Sequence, residues 1–127
     1  MGTPVDTVMA EQRAASFTRR SIKTASKQFA LRLALSMIDL TTLEGKDSAA
    51  KVRSLCRKAI TPWEGQIDPP LPSVAAVCVY PSLVNVARQA LRGTGVAVAS
   101  VATGFPSGQY PLEVRLSDVA QAVQAGR

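Results

Sequence analysis

An α/β fold on a parallel sheet is predicted by three observations. Short apolar runs occupy residues 37–40, 74–80 and 96–103, each is followed by a helical pattern, and turn-forming residues mark the junctions. The order is β-α-β-α-β-α. Right-handed crossovers lay such units side by side, which fits either a doubly wound sheet or a slice of a (β/α)8 barrel.

Residues 1–10 read as a loose terminus. From about Glu11 to Ser36, Ile22, Ala25, Phe29 and Leu33 recur at roughly helical intervals, predicting one long or broken helix. Met37-Ile38-Asp39-Leu40 is a short strand closed by Thr41-Thr42, and Gly45, Asp47 and Ser48 then supply a turn and a candidate N-cap. Over 46–60, Val52, Leu55, Cys56, Ala59 and Ile60 form one apolar face opposite Lys51, Arg53, Arg57 and Lys58.

Residues 61–72 hold four prolines and Gly65, so they form an irregular connection in which Trp63 is expected to pack on the body. The unbroken apolar run 74–80 suits a strand covered on both faces. Pro81 ends it, and with Ser82 as cap a helix follows whose stripe is Leu83, Val86, Ala87, Ala90 and Leu91, stopped at Gly93 and Gly95. The third strand, 96–103, leads into the loop Gly104-Phe105-Pro106-Ser107-Gly108. Pro111 opens a last helix with Leu112, Leu116, Val119, Ala120 and Val123 on one stripe.

Composition narrows the chemistry. Of 127 residues 46% are hydrophobic and 19% charged, which implies a globular body. With no histidine, Ser-His-Asp and Cys-His catalysis and His-ligated metal sites are excluded. Cys56 and Cys78 lack CxxC spacing, which points to reduced thiols in a cytosol-like compartment and not to disulfides or zinc. GxGxxG and the Walker loop are missing, so nucleotide binding has no support. No run is long enough to span a membrane, and a soluble chain is expected.

The net charge of +6 is concentrated at the start: residues 1–36 carry Arg13, Arg19, Arg20, Lys23, Lys27 and Arg32 against Asp6 and Glu11. A solvated helix explains this better than a nucleic-acid contact, because the charges are mixed and aromatics scarce. Transit-segment character is a further reading of the same basic, Ser- and Ala-rich stretch.

In either parallel architecture ligands gather at the carboxyl ends of strands. Three stretches qualify: Asp39-Leu40-Thr41-Thr42, Cys78-Val79-Tyr80-Pro81 and Thr103-Gly104-Phe105-Pro106. Asp39 ends an apolar strand, where burial is costly without hydrogen bonds, so it is the first functional candidate beside its reading as a turn cap. Cys78 reads as a buried small hydrophobe rather than a nucleophile, and Cys56 as core. Phe105 could wall a pocket or pack over a barrel mouth. Lys46, Lys51 and Lys58 lie in or beside a helix, without the desolvated setting that activates an amine.

The runs Ile38-Asp39-Leu40-Thr41-Thr42-Leu43, Ala75 to Pro81 and Val98 to Gly108 together closely resemble deoxyribose-phosphate aldolase, with the likeness extending from about Phe29 to Gly126. The resemblance implies the first three βα units of a TIM barrel over 37–127, preceded by a basic helical extension over 1–36. It implies a class I aldolase that reversibly cleaves 2-deoxy-D-ribose 5-phosphate to D-glyceraldehyde 3-phosphate and acetaldehyde through a lysine Schiff base, without metal or other cofactor, in the cytoplasm.

By the same resemblance Asp39 and Thr41 correspond to first-strand polar residues of the active-site network and Cys78 to a pocket cysteine that is not the nucleophile; Thr103 and Phe105, at the third rim stretch, complete the expected substrate pocket. The Schiff-base lysine, a second lysine and a relay aspartate fall on the fourth and later strands, beyond residue 127. About half the usual barrel length is present, so a closed barrel is not expected from this chain alone. An inactive, sticky chain is expected, whose partners would be a homo-oligomer mate or a complementary barrel half, with neither membrane nor nucleic acid favoured.

Overall fold

A computed structural model describes residues 5–19 and 21–127 of the chain. Residues 1–4 of the expected loose terminus, and Arg20 of the basic cluster, lie outside the described residues. The chain divides into two units, Met1–Ala30 and Leu31–Arg127.

Helix α1 (Thr7–Thr18) starts earlier than expected, because Asp6 caps it by accepting the Met9 N–H at 3.0 Å. The predicted helix over 11–36 is broken, and α2 runs from Thr24–Ser36. Near the end of α1 the hydroxyls of Ser16 and Thr18 donate to the carbonyls of Arg13 and Ala15, the kind of side-chain competition that loosens a helical ladder. Neither helix has a buried residue, and Ile22, Phe29 and Leu33 of the predicted stripe are exposed.

Strands β1 (Asp39–Thr41), β2 (Ala76–Val79) and β3 (Ala97–Ser100) form a parallel sheet in the order β1-β2-β3. All three are shorter than the apolar runs that announce them, but flanking bonds lengthen the ladder. Ala75 N–H donates to Ile38 O at 3.0 Å, Thr42 N–H to Cys78 O at 3.1 Å and Ala97 N–H to Ala75 O at 2.9 Å. Each crossover is helical: α3 (Ala49–Ile60) joins β1 to β2, and a 3-10 turn (Pro81–Leu83) with α4 (Val84–Ala90) joins β2 to β3. Helix α5 (Leu112–Ala125) follows β3.

Helix α3 begins where expected: Ser48 accepts the Lys51 N–H at 3.3 Å. Ser82, by contrast, caps nothing, because Pro81 starts the 3-10 turn one residue earlier and Ser82 lies inside it. The core lies between one face of the sheet and α3 and α4. Val52, Cys56, Val77 and Val79 are its largest fully buried side chains, with Ala59, Val84, Ala87 and Leu91 around them. Burial of each valine contributes on the order of 1.5–2 kcal/mol.

Three packing expectations are corrected. Among the described residues the helices cover one face of the sheet, and Cys78, expected to be buried, lies on the other and is half-buried between buried Val77 and Val79. Trp63 is 61% exposed rather than packed on the body; its indole folds against Gly65, where any Cβ would collide with the ring. On α5 the predicted stripe is exposed at Leu112, Leu116, Val119 and Val123, and the helix instead buries Ala122 toward α4 and the 3-10 turn. The Arg32 guanidinium tethers the proline-rich connection, donating to Pro70 O at 2.7 Å and to Pro69 O.

Candidate functional site

Strand alternation sorts the sheet residues by face. Leu40, Val77 and Val98 share one row and Val79 and Ser100 the next; they face the helices. Asp39, Ala76 and Ala97 form a row on the opposite, open face, where Ala76 is shielded between its exposed strand neighbours, and Thr41, Cys78 and Ala99 form the next. Three of the five sequence-predicted residues are thus brought to one face: Thr41 and Cys78 are direct register partners, and Asp39 is two residues before Thr41.

Asp39 differs from expectation in two ways. It is the first residue of β1 rather than the last, and it is exposed, with no hydrogen bond to its carboxylate among the described residues. The open face explains both its exposure and the missing burial cost. The small residues around it, Ala76, Cys78, Ala97 and Ala99, leave room above the sheet.

Thr103 and Phe105 lie in the loop beyond β3, since the strand ends at Ser100 rather than at 103. Thr103 has φ +84°, a conformation costly for a β-branched residue, and its N–H donates to Asp118 Oδ2 at 2.7 Å. Gly104 follows at φ +77°, and a Cβ there would run into the Tyr110 ring, so glycine is required twice over. Gly108 N–H closes the loop onto Gly104 O at 2.8 Å. Phe105 is 48% exposed on this turn. Between the loop and α5 runs a groove of about 550 Å³, lined among others by Gly104, Tyr110, Arg115 and Asp118.

A polar network braces the β1 end of the rim. Buried Thr42 donates its hydroxyl to Asp47 Oδ1 at 2.8 Å, and Glu44 N–H donates to Asp47 Oδ2 at 3.0 Å. Lys51 Nζ lies 2.7 Å from Asp47 Oδ1 and also pairs with Glu44. The Lys51 ammonium, followed by the Glu44 amide and the Thr42 hydroxyl, holds the Asp47 carboxyl below its ordinary range. The same bonds to Asp47 and Glu44 raise Lys51, so this amine stays protonated, the opposite of what a Schiff-base nucleophile needs. Tyr80 OH donates to Leu43 O at 3.3 Å and ties the second rim stretch to the first.

Asp118 was not singled out in the sequence, because a residue fifteen positions from its partner leaves no local pattern. Asp47 was legible only as a turn former. Among the described residues no cluster of three or more His, Cys, Asp or Glu could hold a metal ion. No helix among them is long and apolar enough to cross a membrane.

No protein-family model matches the chain. Over 116 residues, 85% of the chain, it is 43% identical to the deoxyribose-phosphate aldolase of Mus musculus and 40% identical to that of Homo sapiens. The matched stretch is 36% of each of those proteins. In structure it is similar to a crystal structure described as "a putative deoxyribose-phosphate aldolase from Coccidioides immitis", with TM-score 0.61 and 28% identity, covering 75% of this chain and 33% of that one. The open three-stranded sheet with its helices accordingly matches part of an aldolase barrel, and the chain is a relative of the deoxyribose-phosphate aldolases that spans about a third of their length.

Proposed function

We propose that this chain supplies the N-terminal three βα units, residues 37–127 behind a basic extension at 1–36, of a deoxyribose-phosphate aldolase acting in cytoplasmic deoxyribose phosphate catabolism. The reaction is reversible cleavage of 2-deoxy-D-ribose 5-phosphate to D-glyceraldehyde 3-phosphate and acetaldehyde. A lysine Schiff base serves as electron sink while the carbon–carbon bond breaks, without metal. In this reading Asp39, Thr41 and Cys78 line the substrate pocket from the sheet, and Thr103 and Phe105 wall it from the loop. The lysines and the relay aspartate belong to later strands.

The observation that carries the reading is the 40–43% identity over 85% of the chain to deoxyribose-phosphate aldolases. Its geometric support is that Asp39, Thr41 and Cys78 share the open face, with the Thr103 turn beyond the end of the neighbouring strand. The assay is cleavage of deoxyribose 5-phosphate, with borohydride trapping of the imine, by this chain alone and by this chain with the remaining barrel. Activity only in the combined sample is expected. A trapped adduct on a lysine of this chain would overturn the assignment of the covalent step elsewhere.

A second reading, a noncatalytic chain that binds a full-length enzyme or complementary barrel fragment, draws on the exposed stripe of α5.

A further inference from the structure

The connection from α3 to β2 enters the sheet at the amino end of β2, the end opposite the rim that carries Thr41, Thr103 and Phe105. It is anchored along its length. Thr61 N–H donates to Arg57 O at 2.9 Å, Val74 N–H donates to Ala59 O at 3.0 Å, and the Arg32 guanidinium holds the carbonyls of Pro69 and Pro70. Between this connection and the last turns of α3 runs a groove of about 940 Å³, a size that small-ligand sites have. Ser54, Arg57 and Lys58 line it from the helix, and Trp63, Glu64 and Gly65 line it from the connection. The three helix residues lie on the side of α3 turned away from Val52, Cys56 and Ala59, so the groove is outside the core.

The polar groups of this groove are unpaired. Lys46 and Lys51 are engaged by Glu44 and Asp47, whereas Arg57 and Lys58 stand exposed with no hydrogen bond or ion pair from their side chains among the described residues. The same holds for the Trp63 indole N–H and the Glu64 carboxylate. Gly65 fixes the exposed indole in the groove wall, since the ring lies where a Cβ on Gly65 would be. A large aromatic surface left in water beside two unpaired cations suits a ligand that is planar at one end and anionic at the other. Two cations match the roughly two negative charges of a phosphate monoester. A nucleic-acid strand needs successive aromatics for its successive bases, and residues 61–72 supply Trp63 alone. The glycine-rich fingerprints that the sequence lacks act through backbone N–H groups, whereas this groove offers side chains.

We propose that this groove binds a nucleoside monophosphate, its base stacked on Trp63 and its phosphate held by Arg57 and Lys58. The guanidinium fork of Arg57 takes two phosphate oxygens and the Lys58 ammonium adds a point charge. Glu64 accepts from the ribose hydroxyls, which separates this ligand from a bare anion. The site lies at the far end of the sheet from the substrate rim and does not rest on the aldolase reading.

Trp63 is the only tryptophan of the chain, so its fluorescence reports stacking without a label. The full chain is titrated with AMP, adenosine, inorganic phosphate and a single-stranded oligoadenylate. AMP is expected to quench Trp63 saturably with a Kd of about 1 mM or below, and adenosine and phosphate are each expected to bind at least about tenfold more weakly. Arg57→Gln combined with Lys58→Gln should weaken AMP about tenfold or more while leaving adenosine unchanged. Trp63→Ala, followed by calorimetry, should weaken AMP to a similar extent. All three side chains are exposed, so the variants are expected to keep the urea midpoint of the parent. Absence of saturable quenching, adenosine or phosphate binding as tightly as AMP, or AMP binding indifferent to either variant would overturn the proposal. So would an oligoadenylate bound more than about tenfold more tightly than AMP, which would make the groove a strand-binding surface.

Discussion

Thr103, held at φ +84°, donates its backbone N–H to Asp118 Oδ2 at 2.7 Å, a side-chain bond that ties the start of the loop after β3 to the middle of α5. The left-handed conformation costs a threonine on the order of 1–2 kcal/mol, so the loop needs an external brace. Asp118→Ala is expected to lower stability by about 1–2 kcal/mol and Asp118→Asn by less, since the amide oxygen can still accept. Thr103→Gly relieves the strain and is expected to raise the urea midpoint slightly. A rise in exchange rate at the Thr103 amide in Asp118→Ala checks the brace directly; unchanged protection there would remove it.

The Asp47–Lys51 pair sets a pH window. Asp47 titrates below its unfolded value, so its contribution is present above about pH 3.9 and is lost as pH falls through the lowered folded value. Lys51 titrates above its unfolded value, so its contribution is full below about pH 10.4 and is lost as pH rises through the raised folded value. Stability should therefore be flat between these limits as far as this pair is concerned. Asp47→Asn is expected to flatten the acid limb of a denaturation series, and an acid limb identical to that of the parent would contradict the assignment.

The two cysteines should react in a fixed order. Cys78 is half-buried on the open sheet face, whereas Cys56 is wholly buried and burial pushes its thiol up. A thiol reagent at pH 8 is expected to modify Cys78 within the folded chain and Cys56 only at the rate of unfolding. Mass spectrometry of partly labelled protein decides it. Equal labelling of both before unfolding would show that the α3–sheet core is open.

Core and flank should respond to truncation by very different amounts. Val77 is completely buried between the sheet and the helices, so Val77→Ala is expected to cost about 2 kcal/mol. Leu116→Ala removes a larger side chain from an exposed position and should change stability by no more than about 0.5 kcal/mol. Denaturant midpoints compare them, and a large loss for Leu116→Ala would mean that the flank is already covered.

Much of the fold was legible in the sequence because local physics wrote it. The α3 face of Val52, Cys56 and Ala59 and, from the predicted α4 stripe, Ala87 and Leu91 are core, whereas Val84, outside that stripe, is buried with them and Leu83, Val86 and Ala90 are only partly buried. The Ser48 cap and the turn at Gly93 follow from backbone hydrogen bonding and glycine's tolerance of positive φ. The strand order also follows from the alternation of runs and helices with right-handed crossovers.

Tertiary structure alone decided which faces are covered. Periodicity reports that Leu112, Leu116, Val119 and Val123 share a face, but not whether another part of a chain lies against it; here they are exposed and Ala122 is buried instead. The same limit misplaced Trp63 and Cys78, whose burial depends on elements distant in sequence. Asp39 and Thr41 were named from the sequence. Their meeting with Cys78 on one open face, and the hold of Asp118 on Thr103, arise only when the strands pair and α5 packs back, because contacts between residues far apart in the chain leave no trace in local spacing.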